Sequence, residues 1–169
     1  SAKPVSLGSW SVQASDRGSV SIAGRGKVLL NNIHLGLENE REGVSSQMFL
    51  PAEGAREGNS FRVTGELLHP VPALAERIPY TLSFRTQSDQ LWVMYEFDPE
   101  DLREVDRIVI FTRFPRSVTP SSVSGSARFF EFSVRDDEFA LRYPGEVPQL
   151  QRTENGLRQV FPVTEGEKG

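Results

Sequence analysis

The chain has 169 residues, a net charge of −4 and a pI near 5.3, with 37% hydrophobic residues, 25% charged residues and no cysteine. That length suits one domain with a packed core, and the missing thiols exclude disulfide frameworks, thiolate metal sites and thiol catalysis. The acidic balance argues against a nucleic-acid binder, which needs a basic footprint, and no run approaches the ~18 apolar residues of a membrane span.

The opening Ser1-Ala2-Lys3-Pro4 has no charged and apolar leader regions, and fits a processed chain or a piece of a longer one. Strand-period alternation then begins. Trp10 and Val12 alternate with Ser11 and Gln13, and after Asp16-Arg17-Gly18 so do Val20 and Ile22 with Ser19 and Ser21. Gly24-Arg25-Gly26 supplies a tight turn, because glycine tolerates positive φ. Val28 and Leu30 follow, then Ile33, Leu35 and Leu37 around His34 and Gly36, then a short strand from Val44 to Leu50 ended by Pro51.

Ala52 to Asn59, with three charges and two glycines, reads as a surface loop. Phe61, Val63, Gly65 and Leu67 alternate again, until His69-Pro70-Val71-Pro72 breaks the pairing. Ala73 to Arg77 predicts a helical turn. Tyr80, Leu82 and Phe84, a turn at Gln87-Ser88-Asp89, and Leu91, Val93, Tyr95 and Phe97 make the clearest hairpin. Asp98-Pro99-Glu100-Asp101 predicts one helical turn, with Asp98 as N-cap and proline at the first helical position.

Val105 to Phe114 is a β-branched and aromatic run, and Arg116 to Ser126 is a serine-rich loop. Phe130, Phe132 and Val134 with Phe139, Leu141 and Tyr143 form a second hairpin. Pro144 to Gly156 reads as irregular, Val160 to Val163 as a last edge strand, and residues 164–169 as a polar tail. Roughly ten to twelve short strands without a sustained helical period mean an all-β fold. The expectation is a single antiparallel β-sandwich over residues 1–169, jelly-roll or supersandwich-like, with one or two short helical turns.

A one-sided sheet leaves a second face to solvent. With Tyr80, Leu82, Phe84, Leu91, Val93, Tyr95 and Phe97 inside, that face carries Thr81, Ser83, Arg85, Trp92, Met94 and Glu96. With Ile108 and Ile110 inside, Arg107, Val109, Phe111 and Arg113 are expected to join it, as are Phe129, Glu131, Ser133 and Arg135, and His34 with Glu38. Aromatic platforms beside carboxylates and guanidinium forks suit carbohydrate, so Trp92, Arg85, Glu96, Arg113, Phe111 and Glu131 are the candidate ligand-binding residues. The competing reading covers Trp92, Met94, Val109 and Phe111, and makes Glu96 with Arg113 or Arg107 partly buried ion pairs. The split of 11 Phe against 3 Tyr and 2 Trp favours packing over display. The excess of 16 Arg over 3 Lys has base composition as its simplest cause.

Catalytic signals are thin. His34 and His69 lack metal-ligand spacing, and the acid clusters at Glu38/Glu40/Glu42, Asp98 to Asp106 and Asp136/Asp137/Glu138 lie at turns or strand ends. Glu96 and Glu131 are the pair to name for glycoside hydrolysis, which needs two carboxyl groups roughly 5–10 Å apart. Gly-x-Ser-x-Gly is absent, and Gly24-x-Gly26 lacks a following helix. No cofactor is expected. A structural calcium stays open, although no Asp-x-Asp-x-Asp-Gly loop is present.

Trp10-x-Val12, Gly18-Ser19-Val20-Ser21-Ile22 and Gly26-Lys27-Val28-Leu29-Leu30, with Leu91-Trp92-Val93-Met94-Tyr95-Glu96-Phe97-Asp98-Pro99, resemble the strand layout of accessory β-sandwich domains in carbohydrate-active enzymes, the supersandwich-like domains that precede glycoside hydrolase barrels. The likeness spans residues 10–143 and is one of layout, so it carries over no catalytic residue. It implies a non-catalytic binding or accessory module with a polysaccharide or oligosaccharide ligand, a neighbouring catalytic domain, and an extracellular or periplasmic location. Two alternatives stand beside it: a structural or assembly subunit of adhesin or capsid type, and a small lyase or hydrolase built on the sandwich.

Overall fold

The alternating pattern folds into strands that mostly pair with their neighbours in sequence. A computed structural model describes residues 3–41, 44–47, 50–115, 118–120, 129–134, 137–145 and 148–163. These hold β1 (Val5–Leu7), β2 (Trp10–Ala14), β3 (Val20–Gly24), β4 (Lys27–Asn39), β5 (Val44–Gln47), β6 (Ala52–Glu57), β7 (Ser60–Leu68), β8 (Arg77–Gln87), β9 (Gln90–Glu96) and β10 (Arg107–Arg113). They continue with β11 (Val118–Pro120), β12 (Phe129–Val134), β13 (Asp137–Arg142), β14 (Gln149–Arg152) and β15 (Gly156–Pro162). Single 3-10 turns at Pro72–Leu74 and Pro99–Leu102 are the helical elements among the described residues.

The architecture is an all-β, antiparallel sandwich. One sheet has the order β1-β2-β3-β4-β10-β15-β14, with β5 on β4; the facing sheet is β6-β7-β8-β9; β11-β12-β13 form a small third sheet. Consecutive strands stay together within β1–β5 and within β6–β9, while β10, β14 and β15 return to the first sheet. Val12, Ala14, Val20, Ile22, Leu35 and Leu37 from the first sheet share one core with Phe61, Val63, Leu67, Ile78, Leu82 and Phe84 from the second. Phe139 and Leu141 of the third sheet pack against that core beside Trp10.

The hairpins expected at Gly24-Arg25-Gly26 and at Ser88-Asp89 form, with Arg25, Gly26 and Ser88 at positive φ. Asp98 caps its 3-10 turn by accepting from the Glu100 N–H at 3.1 Å. Five expectations are corrected. Residues 27–39 are one strand rather than the two separate runs expected at Val28–Leu30 and Ile33–Leu37, because bulges carry the pairing through. Asn32, at φ 49°, is the unpaired residue that lets Leu30 and Ile33 both point inward. Ala52–Glu57 is the edge strand β6; its side chains are almost all exposed, so no apolar alternation marks it. Val118–Pro120, inside the expected serine-rich loop, pairs with β12; residues 116–117 and 121–128 lie outside the described residues. Gln149–Arg152, inside the expected irregular stretch, is β14. Finally, β15 is no edge: it begins at Gly156 and is paired on both sides, by β10 and β14. The polar tail at 164–169 lies outside the described residues.

Candidate functional site

The β8–β9 hairpin places Arg85 opposite Trp92, Ser83 opposite Met94 and Thr81 opposite Glu96. β7 extends each row, with Ser60 beside Arg85, Arg62 beside Ser83 and Thr64 beside Thr81. Three rows of three side chains therefore face away from the core: Ser60–Arg85–Trp92, Arg62–Ser83–Met94 and Thr64–Thr81–Glu96. By strand geometry the grid measures about 10 Å across the strands and about 13 Å along them. Arg85 lies over the Trp92 ring, its guanidinium carbon 5.5 Å from the centroid. Met94 is 51% exposed, whereas Trp92 is half-buried and its Nε1 finds no hydrogen-bond partner among the described residues.

The other expected members of this face lie elsewhere. Phe111 and Arg113 belong to β10, in the facing sheet, on the side turned away from the shared core. There the rows across β4, β10 and β15 are His34–Phe111–Arg158, Gly36–Val109–Val160 and Glu38–Arg107–Pro162. Arg113 follows a register shift at the end of β10 and is exposed. Glu131 sits in β12 of the third sheet, opposite Ala140 on β13. Thus the six candidate ligand-binding residues fall on three sheets. Trp92, Arg85 and Glu96 share one face, while Phe111 and Arg113 share another. The reason is topological: β10 leaves the β8–β9 hairpin after the 3-10 turn and pairs with β4 in the opposite layer. The named Glu96 and Glu131 accordingly stand in different sheets.

The second outward face is occupied by a charge network. Glu38, only 7% exposed, receives both Arg158 Nη atoms at 2.8 and 3.0 Å, and Arg107 Nε at 2.9 Å. Arg107 also reaches Glu40, and Arg158 donates to Gln151 at 3.0 Å while lying 5.6 Å from the Phe111 ring centroid. His34 stacks on the same ring at 4.7 Å and 11°. Its Nδ1 meets the Asn32 carbonyl at 3.0 Å, which requires that nitrogen to carry the proton. Covered ion pairs are therefore present, but with Glu38 as the acid rather than Glu96. Sequence reasoning passed over Arg158, and only the outward parity of Arg158 in the Gly156–Pro162 strand hinted at it.

His69 lies in the loop between β7 and the first 3-10 turn, and it is buried there. Its Nδ1 accepts from the Val71 N–H at 2.9 Å, so Nε2 holds the proton and donates to the Arg103 carbonyl at 2.7 Å. Both ring nitrogens are committed to backbone, and among the described residues no group of three His, Asp or Glu side chains is placed to hold a metal ion. Burial raises the pKa of all three tyrosine hydroxyls. Tyr80 is pushed up to about 12, and Tyr95 and Tyr143 rise as well, Tyr95 with a smaller contribution from neighbouring Tyr80.

No protein-family model, no curated protein and no solved structure matches this chain.

Proposed function

We propose that this chain is a non-catalytic, carbohydrate-associated β-sandwich module that takes a polysaccharide or oligosaccharide along the outward face of β7, β8 and β9. The observation that carries this reading is the grid around Trp92: an indole, two guanidiniums (Arg62 and Arg85), four hydroxyls (Ser60, Thr64, Thr81 and Ser83) and the Glu96 carboxylate on one sheet face. Planar forks and hydroxyls bond sugar hydroxyls, and an aromatic face takes the apolar side of a sugar ring. A non-catalytic role is supported by the placement of Glu96 and Glu131 in different sheets and by the engagement of both histidines with backbone. An extracellular or periplasmic location and a neighbouring catalytic domain belong to the same proposal.

The test is a screen of neutral, acidic and sulfated polysaccharides, read by tryptophan fluorescence. The chain has two tryptophans, so Trp10→Phe leaves Trp92 as the sole reporter. Saturable binding that Trp92→Ala abolishes, with circular dichroism unchanged, is the expected result. Arg85→Ala is expected to change affinity, because a stacking ring must share the indole with that guanidinium. A negative across all three glycan classes overturns the reading. The assembly-subunit alternative is favoured by a different feature, the open edge of β9.

A further inference from the structure

We infer that β9 is a homotypic docking edge, at which a second copy of this chain adds its own β9 antiparallel and joins two four-stranded sheets into one of eight. This goes beyond the glycan reading and stands or falls separately from it.

A sheet edge presents unpaired N–H and C=O groups, and proteins normally blunt such edges with charge, shortness or twist. Among the described residues the other edges follow that rule. β1 and β11 have three residues each and β5 four; β14 is four residues ending in Arg152; β6 carries Glu53, Arg56 and Glu57; and β13 carries Asp137, Glu138 and Arg142. β9 does not. It runs seven residues, of which Gln90 to Tyr95 are uncharged, and Val93 and Met94 are 42% and 51% exposed. No described strand pairs with its second edge. Two of the buried side-chain polar atoms without a partner among the described residues, Trp92 Nε1 and Tyr95 Oη, also belong to this strand.

The register follows from the hairpin. A two-residue turn at Ser88-Asp89 makes Gln87 and Gln90 a doubly hydrogen-bonded pair. Bonding then alternates, so Gln90, Trp92, Met94 and Glu96 direct their backbone groups to β8. Leu91, Val93 and Tyr95 direct theirs to the open edge. One antiparallel register uses all three from both copies: the two-fold axis passes through Val93. That register sets Val93 against the partner's Val93, Leu91 against the partner's Tyr95, Trp92 against the partner's Met94 and Gln90 against the partner's Glu96. Every facing pair is compatible: aliphatic on aliphatic or aromatic, sulfur on indole, and amide on carboxylate. No like charges meet. This self-complementarity is what an isologous two-fold contact requires, and it selects a second copy over an unrelated peptide.

The experiment is sedimentation of the full chain across a wide concentration range, with three variants. Wild type is expected to form a dimer. Val93→Lys and Val93→Glu are each expected to lose it, because identical charges then face each other across the axis. An equimolar mixture of the two is expected to recover it. As the chain has no cysteine, Val93→Cys adds a covalent readout. A bonded antiparallel pair holds its Cα atoms ~5.5 Å apart, within disulfide reach. Oxidation is expected to cross-link Val93→Cys and to leave Glu57→Cys, on the opposite edge of the sheet, uncross-linked. A wild-type chain that stays monomeric at every concentration overturns the inference. So does a dimer that survives Val93→Lys, a mixture that stays monomeric, or a Glu57→Cys chain that cross-links as readily. Val93 points away from the Trp92 face, so glycan binding by the Val93→Lys monomer is expected to persist.

Discussion

Arg158 grips the carboxylate of Glu38 with both terminal nitrogens, at 2.8 and 3.0 Å, although 120 positions separate them in sequence. β10 runs between their strands, so the guanidinium crosses over Val109 to reach its partner. Arg107 closes the network from β10 itself at 2.9 Å. This arrangement explains why Val109, at 0% exposed, and Val160, at 4%, are buried on the outward side of their sheet yet stand apart from the main core. The aliphatic stems of two arginines, drawn inward by one carboxylate, supply a roof that no helix or strand among the described residues provides.

Removing that carboxylate strands two guanidiniums over an apolar floor. A broken buried pair costs ~3–5 kcal/mol, and both arginine side chains keep about a quarter of their surface exposed. Glu38→Ala is therefore expected to lose roughly 2–4 kcal/mol in urea unfolding. The triple change Glu38→Leu, Arg107→Met and Arg158→Met is expected to recover most of it, since no charge is then left unpaired. A Glu38→Ala loss within the ~0–1 kcal/mol of an exposed ion pair sinks this account.

The tyrosines give the chain a defined alkaline limit. An unfolded tyrosine ionises near pH 10, whereas the folded Tyr80 is held at about 12 and both Tyr95 and Tyr143 are also raised. Above pH 10 the unfolded state thus gives up protons that the native state keeps, so stability is intact below pH 10 and falls as pH rises through 12. These are all the tyrosines in the sequence. Titration at 295 nm is expected to show no phenolate step near pH 10, followed by ionisation together with loss of β-structure. A reversible single-tyrosine step near pH 10 in the folded protein contradicts the burial described.

What was legible in the sequence depended on burial. Tyr80, Leu82 and Phe84 against Leu91, Val93 and Tyr95 marked a hairpin because one face of it is core, and that parity placed Arg85, Trp92 and Glu96 together correctly. β6 went unread because neither of its faces is buried, so hydrophobicity has nothing to alternate with. β4 was split in two because a bulge at Asn32 inverts the parity midway. Which strands adjoin was beyond reach for another reason. Pairings such as β10 with β4 and β15 are decided by layer packing between residues far apart in the chain, and no local pattern encodes them. This is why Phe111 and Arg113 were assigned to the Trp92 face, and why Arg158 drew no notice.

His69 ties two irregular segments together. Its ring bridges the Val71 N–H and the Arg103 carbonyl, and its own N–H bonds the Glu76 carbonyl at 2.9 Å. Leaving a buried donor and a buried acceptor unpaired costs roughly 1–3 kcal/mol for each group. His69→Ala is expected to destabilise by about 2–4 kcal/mol in chemical unfolding. Amide exchange at Val71 is expected to speed up, and zinc is expected to leave the melting temperature of the wild type unchanged. A zinc-dependent rise in melting temperature that is lost in His69→Ala shows the ring to be a ligand instead.

Gly156 and Gly26 separate two reasons for needing glycine. Gly26 sits in the β3–β4 turn at φ +75°, with open space where a Cβ would project. Gly26→Ala therefore meets only the left-handed backbone penalty, about 1–2 kcal/mol. Gly156 begins β15 opposite Arg113, and a Cβ there falls 2.1 Å from the Thr112 carbonyl oxygen and 3.2 Å from the Arg113 Cα. Those atoms are backbone of the central strand β10 and cannot rotate aside. Overpacking of flexible side chains typically costs ~1–3 kcal/mol; with a rigid neighbour, Gly156→Ala is expected to reach or exceed about 3 kcal/mol and to loosen the β10–β15 ladder. Unfolding curves for the two variants, with amide exchange at Arg113, decide between the two reasons. Gly156 is not among the positive-φ glycines, so a Gly156→Ala loss no larger than that of Gly26→Ala shows that the approach of β10 does not set the requirement.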